Sequence, residues 1–118
     1  MATKENEHGI IEISPTAIAS LVSHAVTQTY GVVGMATPNL ASDIAAILTR
    51  DPHRGVEVKI NDDNTIAIAL YVVLEYGTRI ASVATSIINS VRYTVEKHCG
   101  LPVQQVEVHV QGLRLDGE

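Results

Sequence analysis

Residues 65–115 read TIAIALYVVLEYGTRIASVATSIINSVRYTVEKHCGLPVQQVEVHVQGLRL, and this stretch decides the architecture. Positions 66–74 are apolar on both parities except for the small Ala67 and Ala69, the pattern of a strand buried at the centre of a sheet. The run ends at Glu75-Tyr76-Gly77. Ile80, Val83, Ala84, Ile87, Val91 and Val95 then recur at helical spacing, which predicts an amphipathic helix over about 78–98. Gly100 can adopt the left-handed conformation that ends a helix, and Pro102 lies just beyond it. Val106, Val108 and Val110 alternate with Glu107, His109 and Gln111, so a half-buried strand closes the unit. No residue in this strand–helix–strand unit is placed for catalysis.

Upstream, Val56, Val58 and Ile60 alternate with Glu57 and Lys59, and Asn61-Asp62-Asp63-Asn64 is turn chemistry. A hairpin therefore leads into the central strand. Residues 51–55, Asp-Pro-His-Arg-Gly, read as a loop. Residues 10–13 read as a short strand. Ser14-Pro15 then combines a good N-cap with a proline at the first helical position. Ile18, Leu21, Val22, Ala25 and Val26 form the apolar face of that first helix, and Tyr30-Gly31 ends it. Gly31-Val32-Val33-Gly34 is expected as a tight link. Thr37-Pro38 repeats the cap signal, and Leu40, Ile44, Ile47 and Leu48 predict a second, shorter helix. The expected order is β-α-α-β-β-α-β, a two-layer α+β domain with helices on one face of a roughly four-stranded sheet. Glu12, Glu57, Lys59, Tyr71, Glu107 and His109 would mark the wetter face. Residues 1–8 are expected as a disordered tail, 9–115 as a single domain and 116–118 as a short tail.

Composition narrows the function classes. The chain has 118 residues, of which 46% are apolar, yet it lacks Phe and Trp, so its core is aliphatic. Thirteen acids against eight bases leave a net charge of −5, without the basic stripe that phosphate binding calls for. One cysteine excludes an internal disulfide and a multi-cysteine metal site. The polar first nine residues do not resemble a signal peptide, and no apolar run approaches the length of about 18 residues of a membrane span. A cytoplasmic protein without direct membrane insertion is expected.

The most unusual feature is where charge is missing. No Asp, Glu, Lys or Arg occurs in residues 13–42 or 80–91, although both long helices are amphipathic. The outer face of the first carries Thr16, Ser20, Ser23 and Thr27; that of the last carries Ser82, Thr85, Ser86, Asn89 and Tyr93. Solvated helix faces normally carry Lys and Glu, which are also the better helix formers. Edge-to-edge packing of the two helices would hide part of these faces. Docking on another subunit or partner also accounts for them, because interface centres are depleted of charge. Ser20, Ser23, Thr27, Ser82, Thr85, Ser86, Asn89 and Tyr93 are therefore the candidate interface residues.

Five segments together carry a family resemblance: Gly-Val-Val-Gly-Met-Ala at 31–36, Arg-Gly-Val-Glu-Val at 54–58, Tyr-Gly-Thr-Arg-Ile at 76–80, Cys-Gly-Leu-Pro-Val at 99–103 and Val-Glu-Val-His-Val-Gln-Gly-Leu at 106–113. In order and spacing the chain resembles the alkaline shock protein family, small cell-envelope stress proteins mostly of Gram-positive bacteria. The resemblance implies a non-enzymatic cytosolic protein that self-associates and reaches the membrane through an integral-membrane partner, with a link to envelope stress or to fatty-acid metabolism. It carries over no catalytic, cofactor or metal residues. Many members have charged extensions, and this chain is close to the bare domain.

Sharper readings of single motifs compete with this one. A helix, a Gly-x-x-Gly loop and a helix are the order of a KH-type RNA-binding domain, whose loop clamps the nucleic-acid backbone. Here Val32 and Val33 occupy the inner loop positions with no base nearby, so nucleic acid is not expected as a partner. Cys99 lies at a helix C-terminus, where the dipole disfavours a thiolate, so a packed thiol is expected. His98 there suits the terminal carbonyls, and His24 reads as a surface or interface histidine. Glu57, Glu107 and His109 could converge on the open sheet face as a sparse metal or ligand site, though alternating polar residues on a solvated face explain them as well. Asp62-Asp63 lacks the ligand spacing of a calcium loop. A small ligand carrier or enzyme using the sheet face remains the other alternative.

Overall fold

The computed structural model describes residues 1–37 and 55–115. The second helix expected over 37–48, most of the 51–55 loop and the terminal 116–118 lie outside the described residues.

The central strand is β5, Ile66–Glu75. Its apolar run is explained by its neighbours on both sides. Parallel strand β6, Val103–Arg114, lies along one margin. Two strands share the other margin end to end. Strand β4, Val56–Ile60, pairs antiparallel with the first half of β5, and β3, Val32–Met35, pairs with the second half. They meet at Tyr71, whose N–H donates to the Gly55 carbonyl while its own carbonyl accepts from the Ala36 N–H. The hairpin between β4 and β5 turns as expected: the Asn64 N–H donates to the Asn61 carbonyl and Asn64 takes a positive φ of 65°. The Asp63 carboxylate accepts from both the Thr65 hydroxyl (2.7 Å) and the Thr65 N–H (3.1 Å), which lowers its pKa below the usual carboxylate value.

Among the described residues, two helices cover one sheet face. Helix α1, Pro15–Thr27, starts as predicted, with the Ser14 hydroxyl accepting from the Ala17 N–H at 3.1 Å. Helix α2, Ile80–Cys99, ends at Gly100 in the left-handed conformation. Ile18, Val22 and Val26 of α1 and Val83, Ile87, Val91 and Val95 of α2 meet Ile66, Ile68, Leu70, Val72 and Leu74 of β5 in one aliphatic core. Leu21 is only half-buried. The Glu96 carboxylate accepts from the Val103 N–H at 3.0 Å, tying the end of α2 to the start of β6.

Three expectations are corrected. Residues 2–6, expected within a disordered tail, form strand β1 (Ala2–Asn6), paired antiparallel with β2 (Gly9–Ile13). The Asn6 side chain organises the intervening turn by accepting from the His8 N–H at 2.8 Å. Ala2 is fully buried in the core cluster, and the Lys4 ammonium donates to the Gly100 carbonyl. Polar composition masked a strand whose backbone has partners. Second, β2 belongs to this separate two-stranded sheet, so Glu12 does not lie on the open face of the main one. Third, residues 31–34 are not a free link between helices: Val32 and Gly34 are strand residues paired with Leu74 and Val73. The backbone that a Gly-x-x-Gly clamp would offer to nucleic acid is engaged with β5.

Candidate protein interface

Seven of the eight candidate interface residues are exposed: Ser20, Thr27, Ser82, Thr85, Ser86, Asn89 and Tyr93. Ser23 is the exception. It is 5% exposed and lies on the buried side of α1, a correction to its placement on the outer face. A residue adjacent in sequence to Val22 falls toward the core because α1 is covered over a wide arc, including Ala19 and Ala25.

Three of the hydroxyls on this surface, with the neighbouring Thr29, bond back to carbonyls of the same helix. Ser20 Oγ donates to the Thr16 carbonyl at 3.2 Å and Thr27 Oγ1 to the Ser23 carbonyl at 2.9 Å. Thr29 Oγ1 donates to the Ala25 carbonyl at 3.1 Å and Thr85 Oγ1 to the Ala81 carbonyl at 2.8 Å. Each such bond satisfies the hydroxyl donor before any partner arrives. The two helices are also joined by a groove of about 440 Å³ between the C-terminal end of α1 and the N-terminal end of α2. Ser82 and Ser86 line it with Thr29, Tyr30, Thr78 and Val83, and Arg79 is its one charged residue among those described. Along α2, Ser82, Ser86, Asn89 and Tyr93 follow one another at spacings of four, three and four, which is one helical line.

Sequence reasoning missed the large apolar side chains at this end. Tyr30 is 85% exposed, Tyr76 65% and Ile80 42%. Both tyrosines stand next to glycines that end an element, the one signal in the sequence that they sit outside regular packing. Tyr93, on the same helical line, lies under the Lys97 ammonium at 5.4 Å from its ring centre.

The opposite sheet face brings Glu57, Tyr71, Glu107 and His109 near one another. The Tyr71 and His109 rings stack at 4.8 Å and 13°, and His109 Nε2 lies 3.6 Å from Glu107 Oε2. A hydrogen bond to the Glu57 carboxylate raises the Tyr71 pKa above 10, with burial and the charges of Glu57 and Glu107 adding to it. Tyr71 is thus a neutral donor, not a base. Beside it a depression of about 310 Å³ runs over Ala67 and Ala69 between Glu57, Lys59, Gln105 and Glu107. Among the described residues no three His, Cys, Asp or Glu side chains are grouped to hold a metal ion. Cys99 is half-buried and burial raises its pKa, the reverse of an activated thiol. Among the described residues no helix is long and apolar enough to cross a membrane.

What these features define is an α+β domain with a charge-poor helical surface on one side and a polar sheet face on the other. The chain belongs to the alkaline shock protein family: the model of the alkaline shock protein 23 family, cell envelope-related function, matches residues 3–115. It is 38% identical over 111 residues to the uncharacterized protein YloU of Bacillus subtilis, covering 92% of each chain. It is 36% identical to the uncharacterized protein Spy1614 of Streptococcus pyogenes, covering all of this chain and 99% of that one. A second Bacillus subtilis protein, YqhY, is 30% identical over 95% of this chain and 83% of its own length. The crystal structure of Aquifex aeolicus Era bound to GDP·AlF4− matches 95% of this chain at a TM-score of 0.45 and 15% identity, with 36% of that molecule covered, a likeness too slight to carry an argument.

Proposed function

We propose that this protein is a non-enzymatic binding or scaffold protein of the cell envelope, acting at the cytoplasmic side of the membrane. It self-associates and docks on a membrane-anchored or enzyme partner. The observation that carries this reading is the uncharged surface of α1 and of residues 80–91 of α2, where the Ser20, Thr27 and Thr85 hydroxyls bond to their own helices. Burying such a surface requires little desolvation of charge, in contrast to burying Lys or Glu. The exposed Tyr30, Tyr76 and Tyr93 add the amphipathic aromatic side chains that dominate interface energetics. The depression on the opposite sheet face supports a ligand-carrying role less well, because it is flanked by the charges of Glu57, Lys59 and Glu107.

The test separates folding from binding. Replacing Ser86 and Asn89 together by Lys inserts residues of higher helix propensity, so thermal stability holds or rises. Recovery of envelope proteins on the immobilised variant, compared with the wild type, is expected to fall severalfold because two charges would have to be buried. Equal recovery by both proteins would refute a role for the helical surface.

A further inference from the structure

Strand β6 is twelve residues long and forms a margin of the sheet; among the described residues it pairs with β5 alone. The phase of its hydrogen bonding follows from two bonds. The Ile66 N–H donates to the Pro102 carbonyl beside β6, whereas the Tyr71 N–H donates to Gly55 on the other side of β5. Backbone groups alternate sides along a strand, so the even-numbered residues of β5 address β6. Ile68, Leu70 and Val72 are in register with Val106, Val108 and Val110. In a parallel ladder a residue bonds to the two neighbours of its register partner, so β5 holds residues 105, 107 and 109. The N–H and C=O groups of Val106, Val108 and Val110 point outward. The strand has no proline and no lysine, two of the usual defences of an exposed edge.

The strand's own sequence identifies what fits there. About Val108 it is close to its mirror image: Val106 answers Val110, Glu107 answers His109, Gln105 answers Gln111 and Val103 answers Leu113. Place a second copy antiparallel, with a two-fold axis at Val108. The outward groups of Val108 then meet those of its counterpart, and Val106 meets Val110 in both directions. Glu107 falls opposite His109 of the second copy, at a pair that exchanges no backbone bonds and whose side chains are therefore closest. The two-fold makes that complementary contact twice. Both side chains are accessible, at 53% for Glu107 and 43% for His109, and stacking on Tyr71 already orients the imidazole. The valines stand on the helix-covered side, where Val108 and Val110 are only partly buried by their own subunit. An unrelated strand would match the backbone but not this order of side chains.

We propose that β6 is a self-recognition edge, through which two copies of this chain pair antiparallel about Val108 into one continuous sheet. This rests on the self-association reading above and assigns it a surface distinct from the helices, an isologous contact of the kind that closes as a dimer. The experiment is sedimentation of the full chain and of charge-reversed variants at micromolar concentration. Glu107→Lys places lysine opposite histidine, and His109→Glu places two glutamates opposite each other; each is expected to weaken dimerisation roughly tenfold or more. The two variants mixed in equal amounts recover the complementary pairs, and so does the double variant, so dimer returns in both. That recovery excludes misfolding as the cause of the loss. Variants that dimerise like the wild type, or a loss that neither the mixture nor the double variant repairs, would overturn the proposal. If the dimer persists in these variants but is lost when Ser86 and Asn89 are charged, self-association stands and the β6 edge falls. A wild type that remains monomeric defeats both.

Discussion

Tyr71 shows how one position can combine structural and electrostatic roles. Its backbone is the junction at which β3 and β4 meet along β5, and its phenol donates to the Glu57 carboxylate. The folded-state pKa is raised above 10, so the native state holds the phenolic proton more tightly than the unfolded chain does. The linked stabilisation is fully present below pH 10 and is lost as pH rises through the folded value. Glu57→Gln removes the main cause, so the Tyr71 phenol should titrate nearer the ordinary value in an ultraviolet titration of the variant than in that of the wild type. Cys99 is raised for a different reason, burial alone. A thiol reagent should therefore label it more slowly in native protein than in urea-unfolded protein at the same pH. Gly55 matters through space: a Cβ there would lie 2.8 Å from the Met35 Cβ and 3.0 Å from the Ala36 carbonyl oxygen. Gly55→Ala is expected to destabilise by about 1–3 kcal/mol in chemical denaturation, because it forces β3 and β4 apart where they meet.

The elements differ in how they are held. Helix α1 has an N-cap and an apolar stripe that both appear in the primary structure, and the Ser14 cap is in place. Ser14→Ala should cost about 1 kcal/mol, measured as a shift in the denaturation midpoint. Helix α2 has no side-chain cap at Arg79 and is anchored instead at its other end, by Gly100 and by the Glu96 contact to Val103. Its periodic valines made it easy to place, and its predicted start and finish differ from the structure by one or two residues. Strand β3 was less legible. Four residues, one of them glycine and with another glycine just before them, carry too short a pattern to distinguish a strand from a turn, and only the pairing with β5 decides. The same limit explains Ser23, since a helical wheel gives direction but not the width of the arc that neighbouring elements cover.

Across the molecule, the hairpin of β1 and β2 couples the N-terminus to distant parts of the chain. Ala2 is buried in the core, the Thr3 N–H donates to the Asn64 side chain and Lys4 reaches the carbonyl that follows α2. Removing residues 1–6 is expected to lower stability by about 1–3 kcal/mol in denaturant unfolding, whereas loss of a disordered tail would leave it unchanged. The candidate surface divides in the same way between local and long-range causes. The absence of charge on α1 and on residues 80–91 of α2 is a property of the residues alone, and so are the periodicities that define α1, α2 and the β4–β5 hairpin, because each depends on neighbours within a few positions. Tyr30 and Tyr76 come to the helical end of the molecule through the pairing of residue 75 with Gly31 and of Tyr76 with Arg114. Those are contacts between segments far apart in sequence. From the primary structure alone came the α+β class, the aliphatic core and the uncharged helix faces, since composition and short-range period encode them. Folding alone decided that the first residues form a strand, that β3 and β4 share one margin of β5, and that among the described residues β6 pairs with β5 alone, because backbone pairing between distant segments leaves little trace in side-chain order.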